Sequence, residues 1–243
     1  MIWLRFVNSV RVAMTKWVCF CILASRTAIA RPSRQGVSQP TPLIIPQLQT
    51  VESGAAPILN EYVPLPDKIH IFGASGSGTT TLAAAVAARF GHRHIDVDDF
   101  FWEVTDPPFR SMRPVPIRQR MLADALDAHP RWALSGSLCG WGDIFIPRFE
   151  LVIFLHIPGA VRMSRIMARE RQRYGDAIRE GGAMRVHHLE FIEWAAQYDT
   201  ADEHMRSLRL HQKWMATLPC RCVRMEGDFS TGERLARLDG LSA

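Results

Sequence analysis

From Lys68 onward, short apolar runs alternate with longer stretches in which apolar residues recur every three or four positions. The runs KIHIF (68–72), HRHIDV (92–97), RWALS (131–135), LVIFLHI (151–157) and CRCVRM (220–225) predict β-strands. The periodic stretches predict helices over 79–90, 116–128, 160–173, 187–198 and 203–217. Apolar strands separated by helices imply a parallel sheet covered on both sides. The expected fold is α/β, with about five parallel strands and helices on both faces. Sheets of this kind bind ligands beyond the carboxyl ends of their strands, so the loops after the strands are where chemistry is expected.

The first sixty residues break the pattern. Basic residues, an apolar run from Trp17 to Ala24 and AIA at 28–30 resemble a signal or transit peptide. The apolar run is too short and interrupted to form a stable membrane span. From Pro32 to Pro66 the chain is rich in Pro, Gln, Ser and Thr and reads as a disordered linker. The expected organisation is a leader and linker over 1–60, either a targeting segment or a mis-assigned start, followed by one domain over 61–243. Charge divides at the same place. The leader holds six of the 29 basic residues and a single acid, Glu52, whereas the rest of the chain carries 23 of each sign. The net charge of +5 belongs to the leader, and the domain has no overall field to draw nucleic acid. The five cysteines lack zinc-site spacing and read as reduced thiols.

The loop after the first strand reads IFGASGSGTTTL (71–82). It fits the phosphate-binding pattern G-x-x-x-x-G-K-[ST], with Gly73 first, Gly78 second and Thr80 last, except that Thr79 stands where the lysine belongs. A strand before it and an alanine-rich helix closed by Gly91 after it are the context the motif requires. Glycines let backbone N–H groups wrap a phosphate, and the helix N-terminus adds its positive dipole end. Gly73, Ser75, Gly76, Ser77, Gly78, Thr79, Thr80 and Thr81 are the expected nucleotide-binding residues, with the Thr80 hydroxyl on Mg²⁺. Only three lysines exist, Lys16, Lys68 and Lys213. Lys68 opens the strand, roughly 15 Å from the loop at its far end. An arginine is the expected replacement.

The second strand ends in HIDVDDFFW. As strand residues, Asp96 and Asp98 share one face and Asp99 takes the other. Paired carboxylates there can hold Mg²⁺ and take the proton of an attacking hydroxyl, which assigns Asp96 to the metal and Asp98 to the base. Asp99 is expected on the substrate side or as a cap of a turn beginning at Phe100. In FWEVTDPPFRSMRP, Trp102 with Arg110 and Arg113 suits a ring-bearing or anionic acceptor. In SGSLCGWGD, Ser137 and Asp143 can bond a polar substrate. In VRMSRIMARERQRYG, Arg162, Arg165, Arg169 and Arg173 fall on one helical face. Arg165 and Arg169 are the expected catalytic clamp on a transferring phosphoryl group; a solvated basic face paired with Glu170 and Glu180 is the alternative.

Residues 69–226 resemble the small P-loop kinases, the adenylate, shikimate and nucleoside kinase group, and the resemblance implies their three-layer P-loop NTPase fold. Asp96-Val97-Asp98 is similar to the D-x-D after strand two of shikimate kinases, where the acids meet Mg²⁺ and substrate hydroxyls. DDFF resembles the segment of nicotinamide riboside kinases whose first acid serves as base, and both alignments point to Asp98. The arginine-bearing helix resembles the lid region of adenylate kinases. The resemblance implies an ATP- and Mg²⁺-dependent phosphotransferase acting on a small-molecule acceptor, and such an enzyme is expected in the cytoplasm, where ATP is. The departure at Thr79 leaves two other readings: a nucleotide-binding module without catalysis, and a sulfotransferase-like enzyme. SGTT also occurs in the sulfotransferase donor loop, but there a lysine stands where this chain has Gly76.

Overall fold

The computed structural model describes residues 65–240; the leader and linker expected over 1–60, with their targeting signal, lie outside the described residues. Five strands, β1 (Lys68–Gly73), β2 (Arg93–Asp96), β3 (Trp132–Ser135), β4 (Leu151–His156) and β5 (Arg221–Glu226), form one parallel sheet in the order β2-β3-β1-β4-β5. This is the α/β fold expected from the apolar pattern. β1 is central, and the chain crosses to opposite sides of it in its two halves. The loop after β1 therefore opens at the topological switch point.

Side-chain alternation along the strands builds two different cores. Ile69, Ile71, Ala133, Leu151 and Ile153 face an aliphatic layer with Leu82, Ala83 and Val86 of helix α1 (Thr79–Phe90). Phe72, Trp132, Leu134 and Phe154 point the other way, into an aromatic cluster with Phe101, Trp141, Phe149 and Trp214. His70 lies on that aromatic side, wholly buried and stacked on Phe149, and burial pulls its imidazole down to about 3.

The helices begin and end where local chemistry dictates. Gly91 closes α1 in the left-handed region at φ 75°, its N–H bonding to Ala87 O. Pro116 sits in the first turn of α3 (Val115–Asp127). Pro158 is the N-cap residue of α4 (Gly159–Tyr174). The segment expected as helix 187–198 forms α5 (Arg185–Ala196) and then a 3-10 turn over Gln197–Asp199. The helix expected over 203–217 contracts to α6 (Leu208–Met215), because the Ser207 side chain accepts from Leu210 N–H and sets the start. A last helix, α7 (Thr231–Asp239), was not expected. Ser230 and Glu233 form its capping box, and it packs against α1. Among the described residues no helix is long and apolar enough to cross a membrane.

Two expectations change at the strand ends. β2 stops at Asp96, and Asp98 opens a short helix, α2 (Asp98–Phe101), so Asp96 and Asp98 do not share a strand face. The four arginines of α4 do not share one environment either. Arg162 is buried, stacked on Tyr198 and bonded to Asp199 and to Ile157 O, whereas Arg173 lies over Phe109.

Candidate active site

The loop after β1 turns back over the sheet before entering α1. Gly76 sits at φ 79°, and a Cβ there would lie 2.8 Å from Arg162 O, so neither the backbone conformation nor the packing on α4 admits a side chain. Gly78, at φ 89°, is the N-cap of α1 and leaves its N-terminus open toward a cavity of about 300 Å³. Gly76, Gly78, Thr79 and Thr81 form the loop side of this cavity, and Arg165, Arg169 and Arg234 line it opposite. No acid lines it. Gly73 ends β1, and Ser75 and Ser77 are buried within the loop. Thr79, in the lysine position, is itself buried at 4% exposure.

The lysines of the described residues lie elsewhere. Lys68 Nζ is 3.7 Å from Glu150, and Lys213 Nζ is 2.5 Å from Glu203. Three arginines therefore supply the positive charge of the cavity. Arg165 donates to Asp228 at 2.5 Å, and Arg169 lies 4.0 Å from the buried Glu170. Arg234 comes from α7; its Nη1 donates to Ser77 O at 3.0 Å. Burial and, next, the nearby Arg165 bear the Arg234 guanidinium below its ordinary range. The sequence reading missed this arginine, which follows directly on the Ser230–Glu233 capping box that could have marked its helix.

Asp96 stands between this loop and the next cavity. One carboxylate oxygen, Oδ2, accepts from Thr80 Oγ1 at 2.8 Å and from Ser135 Oγ at 3.0 Å. The other, Oδ1, accepts from the Asp98 backbone N–H at 3.0 Å. Burial pushes the carboxyl up to about 6 against the opposing pull of these three donors. His94 Nε2 lies 3.0 Å from the same Ser135 hydroxyl. Thr80, Asp96 and Ser135 make a compact set of hard oxygen ligands, the chemistry Mg²⁺ prefers. Among the described residues no group of three or more His, Cys, Asp and Glu side chains is placed to hold a metal. A cation here fits the Mg²⁺ habit of few protein ligands supplemented by phosphate and water.

The second cavity, about 160 Å³, opens beside α2 and is lined by Asp98, Asp99, Trp102, Glu103, Phe109 and Arg113, among others. Trp102 is buried, packed edge-on against Phe101 and Phe109, and bridged to Met112. Arg113 spends Nη1 on Asp99 O at 2.8 Å and Phe100 O at 3.1 Å. Arg110 is exposed, bonds to His187 and does not line the cavity. Ser137 and Asp143 also lie outside both linings. Ser137 Oγ is 3.3 Å from His211 Nε2, whose Nδ1 is 2.8 Å from Tyr198 Oη. Asp143 accepts from Trp214 Nε1 at 2.7 Å and from Gly140 N–H at 3.3 Å, which ties the loop after β3 to α6.

No protein-family model matches the chain. Among solved structures, similarity is found to a gluconokinase from Sinorhizobium meliloti 1021, at 17% identity and TM-score 0.42 over 74% of this chain and 92% of that one. A shikimate kinase from Acinetobacter baumannii in complex with shikimate matches at 14% identity and TM-score 0.42, over 72% of this chain and 91% of that one. A curated relative, the uncharacterized protein YqaC of Bacillus subtilis (strain 168), is 44% identical over 176 residues, 72% of this chain and 97% of the relative. At that identity and coverage, this chain belongs to the same family as YqaC.

Proposed function

We propose that this protein is an ATP- and Mg²⁺-dependent phosphotransferase acting on a small-molecule acceptor. The observation that carries the reading is the Asp96 carboxylate, which bonds the Thr80 hydroxyl of the glycine loop on one oxygen and the Asp98 backbone on the other. It joins the loop suited to phosphates to the acid that lines the second cavity. In this reading the N–H groups of 74–80 cradle the phosphates, and Thr80 with Asp96 holds Mg²⁺. The metal supplies charge neutralisation on the phosphate oxygens when bound. Arg165 and Arg169 face the phosphate chain from α4, where a guanidinium can grip two oxygens at once. Asp98, buried and at the mouth of the second cavity, takes the proton of the acceptor hydroxyl.

The second cavity narrows the acceptor. Three of its lining residues are carboxylates, and its one arginine is turned to backbone carbonyls. Repulsion there disfavours a nucleoside monophosphate, and with it adenylate-kinase chemistry. A neutral or cationic hydroxylated acceptor with a ring for Trp102 and Phe109 fits the lining better. Full-length protein mixed with ATP, Mg²⁺ and a panel of polyols, sugars and nucleosides should release ADP with at least one of them. ATP binding without turnover on any acceptor would overturn the enzymatic reading in favour of a nucleotide-binding module. Thr79 is the observation that favours this second reading, because it leaves the loop without its own charge on the transferring group.

A further inference from the structure

Resting on the nucleotide reading above, we propose that Arg234 is the resident phosphate-binding cation of this site, gripping phosphate oxygens side-on through Nε and Nη2 in place of the lysine missing at Thr79. Arg234 is 4% exposed and reaches the loop from the first turns of α7. Its Nη1 is already fixed on Ser77 O at 3.0 Å. The approach is so close that a Cβ at Gly78 would lie 3.1 Å from that nitrogen. The remaining two groups, Nε and Nη2, are buried and meet no hydrogen-bond acceptor in the protein. They form the edge of the guanidinium fork that matches a pair of phosphate oxygens.

Among the described residues no carboxylate forms an ion pair with Arg234, although the neighbouring Arg165 has Asp228. Asp228 favours the Arg234 charge from beyond ion-pair distance, by less than burial and Arg165 oppose it, and an anion in the adjoining cavity lowers the remaining cost. Ser77 Oγ, in the same loop, is likewise buried without a partner. Arg165 is the weaker choice, since its side chain is 41% exposed and already bonded to Asp228. The geometry thus puts the charge that replaces the lysine on α7, beside Arg165 and Arg169 of α4.

Calorimetric titration of the full chain with ATP, adenosine and inorganic tripolyphosphate tests this. Arg234→Gln should weaken ATP and tripolyphosphate about 10- to 100-fold, the usual effect of losing hydrogen bonds to a charged group, and leave adenosine unchanged. Wild-type affinity for ATP in a cooperatively folded Arg234→Gln protein would overturn the proposal. Should that variant not fold, Arg234→Lys keeps the charge without the fork. It should still lose several-fold for tripolyphosphate, and equal affinity would overturn the side-on contact. Tripolyphosphate binding that depends on Arg234, without any ATP binding, would sink the nucleotide reading and leave this one standing. A wild-type chain that binds neither would sink both.

Discussion

The two cavities on either side of Asp96 differ in charge more than in shape. The one under the glycine loop is lined by three arginines and no acid; the one beside α2 is lined by three acids and one arginine already engaged. A donor rich in negative charge suits the first, and an acceptor without it suits the second. On the proposed reading, the pair would disfavour a nucleotide entering backwards, by repulsion as much as by attraction. The supports differ too. The acid side is built within one short span from Asp98 to Arg113, whereas the arginine side gathers α1, α4 and α7 from across the chain.

The largest expected effect falls on the acid side. Asp98→Asn keeps size and removes the proposed base, so turnover should drop by about 10²- to 10⁴-fold. ATP affinity should stay within about twofold, because Asp98 lines the second cavity and not the one under the glycine loop. Steady-state kinetics beside calorimetry would read both. A parallel loss of ATP affinity would show that the two cavities are not energetically separate.

Asp96, between them, gives a pH signature. Its folded carboxyl titrates near 6 against an ordinary 3.8, so between about pH 4 and 6 the folded chain holds a proton that the unfolded chain has released. Stability contributed by this group therefore falls as pH rises through that window, by roughly 3 kcal/mol in total. Denaturant melts of metal-free protein should show Asp96→Asn gaining on the wild type from pH 4 to 6.5. Buried histidines act oppositely on acidification in both proteins, so only the difference is diagnostic. Parallel profiles for the two proteins would show that Asp96 is not the buried titrating group.

Much of this was legible along the chain. Alternating apolar runs sufficed for the five strands and their parallel sense, because strands covered on both faces must be apolar throughout. Thr80 and Asp96 were expected on one Mg²⁺, and their side chains bond at 2.8 Å. What periodicity could not carry was partnership at long range. Arg110 and Arg113, beside aromatics, read as anion binders, yet His187 and two backbone carbonyls hold them. Asp143 reads as a substrate ligand until Trp214, 71 residues on, is seen to donate to it. Arg234 escaped for the same reason. Ser230-Thr231-Gly232-Glu233 announces a helix start, but nothing local says that the helix returns to the glycine loop.

That return brings the cap of α7 into the cavity lining and makes the arginine side sensitive to it. Ser230 Oγ accepts from Glu233 N–H at 3.3 Å, and Glu233 accepts from Ser230 N–H at 2.7 Å. Ser230→Ala should lower stability by about 1 kcal/mol and loosen the helix that carries Arg234. ATP affinity should fall a few-fold, with acceptor KM unchanged. An equal change in acceptor KM would remove the distinction between a locally built cavity and one assembled from distant segments.

The smallest effect is also the one whose sign matters most. Arg165 and Asp228 form a pair at 2.5 Å with side chains 41% and 45% exposed. Such pairs contribute about 0 to 1 kcal/mol, so Asp228→Asn should shift the unfolding free energy by no more than about 1 kcal/mol. If the arginine side works as a pool of positive charge, removing this acid should raise tripolyphosphate affinity about two- to threefold, and the gain should shrink as salt is added. If the pair instead aims Arg165, affinity should fall and salt should matter little. A rise marks the cavity as an electrostatic well centred on Arg234; a fall makes Arg165 a positioned ligand that depends on its carboxylate.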